Sequence, residues 1–180
     1  MSYAGAMATY DAATAECFVF TFKEGLLSKI AHDLKIRVAR FQVDVDDARS
    51  SVTVELDAGS LEVVCAMRDG VEDMGALSGA DRDKIGGQIQ SDVLHSRQHP
   101  KIRFVSSSVQ ARDDGGFDVA GDLTLHGVTK PITAKTVLVN ERQEAEVVLH
   151  QPDYGVKPYK AMMGTLKVQA DVKVKLSIPA

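Results

Sequence analysis

PKIRFVSSSVQARDDGGFDVAGDLTLHGVTKPITAKTVL, running from Pro100 to Leu138, reads as three consecutive antiparallel strands joined by two tight turns. Ile102, Phe104, Ser106 and Ser108 share one parity, and Arg103, Val105, Ser107 and Val109 share the other. Asp113-Asp114-Gly115-Gly116 supplies residues that tolerate positive φ, as a tight hairpin needs. The second run alternates cleanly, with Phe117, Val119, Gly121, Leu123 and Leu125 set against Asp118, Asp122 and Thr124. His126-Gly127-Val128-Thr129 turns the chain again. Pro131 then falls where a third strand begins, a position that needs no ladder donor. Period two broken by tight turns predicts a β-meander.

The alternation extends upstream. Residues 1–14 are small and polar and are read as a flexible N-terminus, with a single domain over 15–180. A first strand is predicted from about Ala15 to Lys23. Gly25 then opens a short helical segment carried by Leu26, Leu27, Ile30 and Leu34. In the strand that follows, Leu34, Ile36 and Val38 share one parity, whereas Phe41, Val43 and Val45 share the other. One extra residue near Ala39-Arg40 restores the facing, which is what a β-bulge does at a barrel bend. Val52, Val54, Leu56 and Ala58 mark the next strand, and Arg68 to Gly79 reads as a loop.

Ser78 with Asp81 three residues later is a capping-box start, and Ile85, Ile89 and Val93 recur at helical spacing. A helix over Ala80–Leu94 is therefore predicted, softened by Gly86-Gly87 at about 1 kcal/mol each relative to Ala. Such a helix inserted in a meander lids or plugs a barrel end. Downstream, a strand is predicted over Glu144–Leu149 and a loop over Gln151–Pro158. The last strand sets Leu166, Val168, Ala170, Val172, Val174, Leu176 and Ile178 against Lys167, Gln169, Asp171, Lys173, Lys175 and Ser177. Its length suits a closed barrel whose last strand pairs with an early one.

At 180 residues the chain can bury a sizeable core without disulfides or metals. A net charge of −4, with both signs interspersed, argues against a nucleic-acid partner. Cys17 and Cys65 make no disulfide framework, and both are expected reduced. MSYAGAMATYDAATAE has no Lys or Arg and no long apolar core, so a cytoplasmic location is expected. No run approaches the length that crosses a bilayer as a helix.

Chemical motifs are sparse. His95 and His99 are four apart, but Pro100 disfavours helix at His99 and no further ligands complete a tetrahedral site. No metal is expected. His32-Asp33 and His126 raise acid–base chemistry, yet adjacent residues do not orient one another. No nucleophile elbow, Walker loop or dinucleotide fingerprint is present.

LHSRQHPKIRF (Leu94–Phe104) and GDLTLHGVTKPIT (Gly121–Thr133) resemble the signature of the YceI-like family. FKEGLLSKIAHDLKI, ending at Ile36, is similar to a variant of that family's first hairpin region. The resemblance spans roughly Cys17 to Ile178. It implies a small lipocalin-like barrel that holds a long apolar lipid, often a polyisoprenoid; many relatives are exported to the periplasm, and this N-terminus departs from them. The resulting expectation is an all-β, antiparallel, eight-stranded barrel with one short helical segment and one lid-like helix.

A small-walled interior favours a cavity over a filled core, since the chain has no Trp and is only 6% aromatic. The inward candidates are Ile36, Val38, Val54, Leu56, Phe104, Leu123, Leu125, Val168, Ala170 and Val172, with His32 and His126 as polar groups at the mouth. The expected role is non-enzymatic carriage of an isoprenoid or fatty-acid-like lipid, with no cofactor and with a homodimer as a further partner. Two alternatives stay open: a barrel enzyme using His32, Asp33 or His126, and a filled barrel serving protein interaction.

Overall fold

The computed structural model describes residues 6–25 and 31–180. Of the short helical segment expected on Leu26, Leu27, Ile30 and Leu34, the first three lie outside them, and Leu34 belongs to a strand.

Two bent strands organise the molecule. β3 (Asp33–Val38) and β4 (Phe41–Asp46) form one path broken at Ala39-Arg40, and the burial parity switches there as the sequence implies. β5 (Val52–Asp57) and β6 (Leu61–Arg68) form a second path, bent at a 3-10 turn over Ala58–Ser60. The two paths pair as a single hairpin, β4 with β5 and β3 with β6. Its corner is tied by polar bonds: the Ala39 amide donates to the Ser60 carbonyl at 2.9 Å, and the Arg40 amide to Ser60 Oγ at 3.0 Å.

The other strands complete a ring. On one side β5 pairs with β8 (Lys101–Ala111), followed by β9 (Phe117–Leu125), β10 (Val128–Val139) and β11 (Arg142–His150). On the other side β3 pairs with β2 (Glu16–Thr21), and β2 with β14 (Asp171–Pro179), which meets β11. Fourteen strand segments are present among the described residues, against eight expected. The ring nevertheless holds eight strand paths, because each bent strand counts twice; β1 (Met7–Asp11), β7 (Val71–Asp73) and the small pair β12 (Lys160–Ala161) and β13 (Leu166–Lys167) are additions.

Several boundaries differ from the sequence reading. Part of the terminus read as flexible is paired: β1 lies along β4 from Met7↔Asp46 to Asp11↔Gln42, covering an otherwise open edge. β8 carries a bulge between Ser106 and Ser108, so Val109 stands opposite the buried Val119 and faces inward. Pro131 is the fourth residue of β10, not its first. The two-residue His126-Gly127 hairpin makes Leu125–Val128 the bonded pair, so alternation leaves Asp122–Pro131 unbonded. The Pro131 nitrogen then points away from β9, toward the side where β10 has no partner before Thr136. The last strand is also shorter than its alternation suggests. It breaks at Gln169-Ala170, where the Gln151 amide captures the Ala170 carbonyl at 2.8 Å and the Gln151 side chain captures that of Gln169 at 3.1 Å.

α1 (Gly79–Gln88) starts on the expected capping box: Ser78 Oγ accepts from the Asp81 amide at 3.1 Å, and the Asp81 carboxylate accepts from the Ser78 amide at 3.2 Å. A π-helical turn, Ile89–Val93, continues it. The helix lies along β6, where Arg82 Nη1 donates to the Val64 carbonyl and Gln90 Nε2 to the Leu61 carbonyl. Side chains thus satisfy a strand edge that β7 leaves unpaired.

Candidate functional site

Inward stripes from every path of the ring meet around a cavity of about 400 Å³. β2 contributes Cys17, Val19 and Thr21; β3 contributes Leu34, Ile36 and Val38; β14 contributes Val172, Val174, Leu176 and Ile178. The helical segment closes one end with Ile85, Ile89, Val93 and Leu94. The wall is aliphatic almost throughout, and Ile36 and Val38 are 1% exposed.

Nine of the ten inward candidates line this space: Ile36, Val38, Val54, Leu56, Phe104, Leu123, Leu125, Val168 and Val172. Ala170 does not, because it sits in the break of the last strand with its carbonyl held by Gln151. The helical lining residues were absent from the sequence-based set. Their spacing of four was visible in Ile85, Ile89 and Val93, but spacing does not say what the stripe faces.

Polar groups on the wall are few, and those at the floor are occupied. At the floor, Thr136 Oγ1 donates to Gln143 Oε1 at 2.6 Å and accepts from the Phe117 amide at 2.9 Å, while Gln143 Nε2 donates to the Gly115 carbonyl at 2.9 Å. Burial pushes the Cys17 thiol up to about 12, so it is an inert wall group. Burial raises Cys65 too, with Glu72 adding to the effect.

His32 borders the cavity as expected of a mouth group. Together with Ala31 it also borders a small polar pocket shared with Lys23, Asp33, Arg68 and Asp73. Asp33 Oδ1 accepts from the Lys23 amide at 2.7 Å, and Arg68 pairs with Asp73 at 3.0 Å.

His126 is not among the lining residues. It occupies the β9–β10 turn with φ 53°, next to Gly127 at φ 75°. There it meets the two histidines whose spacing the sequence had flagged: His95 Nδ1 lies 3.1 Å from His126 Nε2, and the His99 ring centroid lies 4.4 Å from that of His126. Burial holds His126 below the ordinary histidine value, helped by His99 and His95, against a hydrogen bond that the ring donates to the Tyr154 backbone carbonyl. No group of three or more His, Cys, Asp or Glu residues is placed to hold a metal among the described residues. Chemically, the site can enclose hydrocarbon and offers few reacting groups.

Comparison with known proteins agrees with this geometry. A family model described as the YceI-like domain matches residues 10–180. A UPF0312 protein of Pseudomonas putida is 36% identical over 104 residues, covering 52% of this chain and 53% of its own. Another, from Pseudomonas savastanoi pv. phaseolicola, is 44% identical over 66 residues, 36% of this chain and 33% of its own. The matched part therefore spans about half, or less, of those relatives' length. Among solved structures, a polyisoprenoid binding domain from Saccharophagus degradans superposes with a TM-score of 0.61 at 13% identity, covering 97% of this chain and 100% of its own. Burkholderia cenocepacia BcnA gives 0.58 at 18% identity over 91% and 96%. At such identities the superpositions establish the fold, and with the family model matched over nearly the whole length, this chain belongs to the YceI-like domain family.

Proposed function

We propose that the barrel holds and carries a long apolar lipid of the polyisoprenoid kind, without transforming it. The observation that carries this reading is the aliphatic cavity of about 400 Å³, walled by every strand path and roofed by the helical segment. Each methylene moved from water into such a space contributes roughly 0.8 kcal/mol, so a long tail can be held without polar contacts. The Saccharophagus degradans structure described as a polyisoprenoid binding domain supports the choice of ligand class.

The alternatives gain less. A filled barrel is at odds with the open interior. For an enzyme, the candidate acid–base groups are dispersed: Asp33 is engaged by the Lys23 amide, and His126 turns to the outer histidines.

Native mass spectrometry of the purified protein, followed by organic extraction, tests the proposal. The expected result is an added mass that leaves on extraction as a prenyl-type lipid. An unliganded protein that takes up no fluorescent prenyl probe would overturn it.

A further inference from the structure

Thr21 ends the inward stripe of β2, following Cys17 and Val19 on the cavity wall. Its Oγ1 is shut off from solvent and has no hydrogen-bond partner, the one such buried side-chain atom among the described residues. Native proteins rarely leave a buried hydroxyl unpaired, so an exception asks for a partner that the chain itself does not supply. The contrast within this cavity is sharp. At the floor, Thr136 and Gln143 satisfy each other and the backbone. Gln151, also on the wall, spends its side-chain amide on the Gln169 carbonyl.

Thr21 stands at the opposite end from that floor. It pairs with Leu34 across β2–β3, two residues before Lys23 bridges Val168. Its end of the cavity is the one that His32 and Ala31 share with the polar pocket. Leu34, Leu166 and Val168 line the cavity there as well, so this stretch of wall does not welcome a full charge.

Resting on the lipid-carrier reading, we infer that Thr21 Oγ1 anchors a neutral oxygen at the head of the ligand, an alcohol or a carbonyl. The ligand class is then an oxygen-headed isoprenoid, not a bare hydrocarbon. It sits head toward Thr21 and tail toward the Thr136–Gln143 floor. The hydroxyl fixes the direction of entry, because the polar groups at the floor are already engaged and return no hydrogen bond to a head that has left water.

Thr21→Val keeps the shape and removes only the hydroxyl, and Thr21→Ser keeps the hydroxyl. Displacement of a fluorescent apolar probe by farnesol and by farnesene reads the difference. Thr21→Val should weaken farnesol about three- to tenfold, leave farnesene within about twofold, and Thr21→Ser should restore farnesol binding. The ligand-free Thr21→Val protein should be at least as heat-stable as the parent. Unchanged farnesol affinity, or an equal loss for both ligands, would overturn the anchor while farnesene binding still upheld the carrier reading. If neither ligand binds the parent, the carrier reading fails, and the anchor with it.

Discussion

The outer histidines should make stability depend on pH through His126. Its folded value lies below the ordinary 6.5, so the unfolded chain binds that proton more readily. The contribution of neutral His126 is therefore full above about 6.5 and is lost as pH falls through the interval down to the depressed folded value. The thermal midpoint should drop between about pH 7.5 and about pH 5.5, and His126→Gln should flatten that drop. A parent and variant with identical profiles would remove His126 from the account. Wall residues allow a second test. Val172 lines the cavity and Ala170 does not. Val172→Phe should fold and lose uptake of a fluorescent lipid, whereas Ala170→Phe should keep it. The facing of Val168 and Val172 was legible from parity, but the exception at Ala170 was not: the alternation continues across a break made by Gln151, eighteen residues earlier in the chain than Gln169. The three histidines likewise come from separate segments, and nothing local announces their meeting.

Glycine on an inward strand position shows how elements fix each other. Gly121 stands opposite Ser106 on β8 and Ile132 on β10. A Cβ there would lie 2.3 Å from the Val105 carbonyl oxygen and 2.6 Å from the Phe104 ring. Gly121→Ala should therefore cost about 3 kcal/mol, measured by denaturant unfolding, because backbone on one side cannot give way. Ser78→Ala, which removes the helix cap, should cost about 1 kcal/mol and leave the barrel assembled. The meander, the bend at Ala39-Arg40 and this cap were readable because each rests on local pattern: period two, a parity switch, a hydroxyl three residues before a carboxylate. The bulge in β8 was not, since Ser106-Ser107-Ser108 carries no apolar phase that could reveal a slip. β1 escaped for a similar reason; it is short, polar and wet on one face, and its strand character comes from the β4 edge it covers.

At the level of the whole molecule, closure ties distant parts of the chain. β14 pairs with β2 from Lys173↔Phe20 to Ser177↔Glu16, so the ring cannot shut before nearly all of the sequence is present. Long-range pairing of this kind slows folding, because loop closure must precede the contacts that reward it. During synthesis the early hairpin waits with an unpaired β2 edge and an apolar inner face exposed, conditions that favour self-association. Removing residues 171–180 should recreate that waiting state permanently: the shortened chain is expected in the insoluble fraction, and a soluble, cooperatively unfolding product would contradict this. The seam that closes the finished container thus makes the newborn chain dependent on its last strand, and the bent hairpin, complete long before, holds one edge open until that strand arrives.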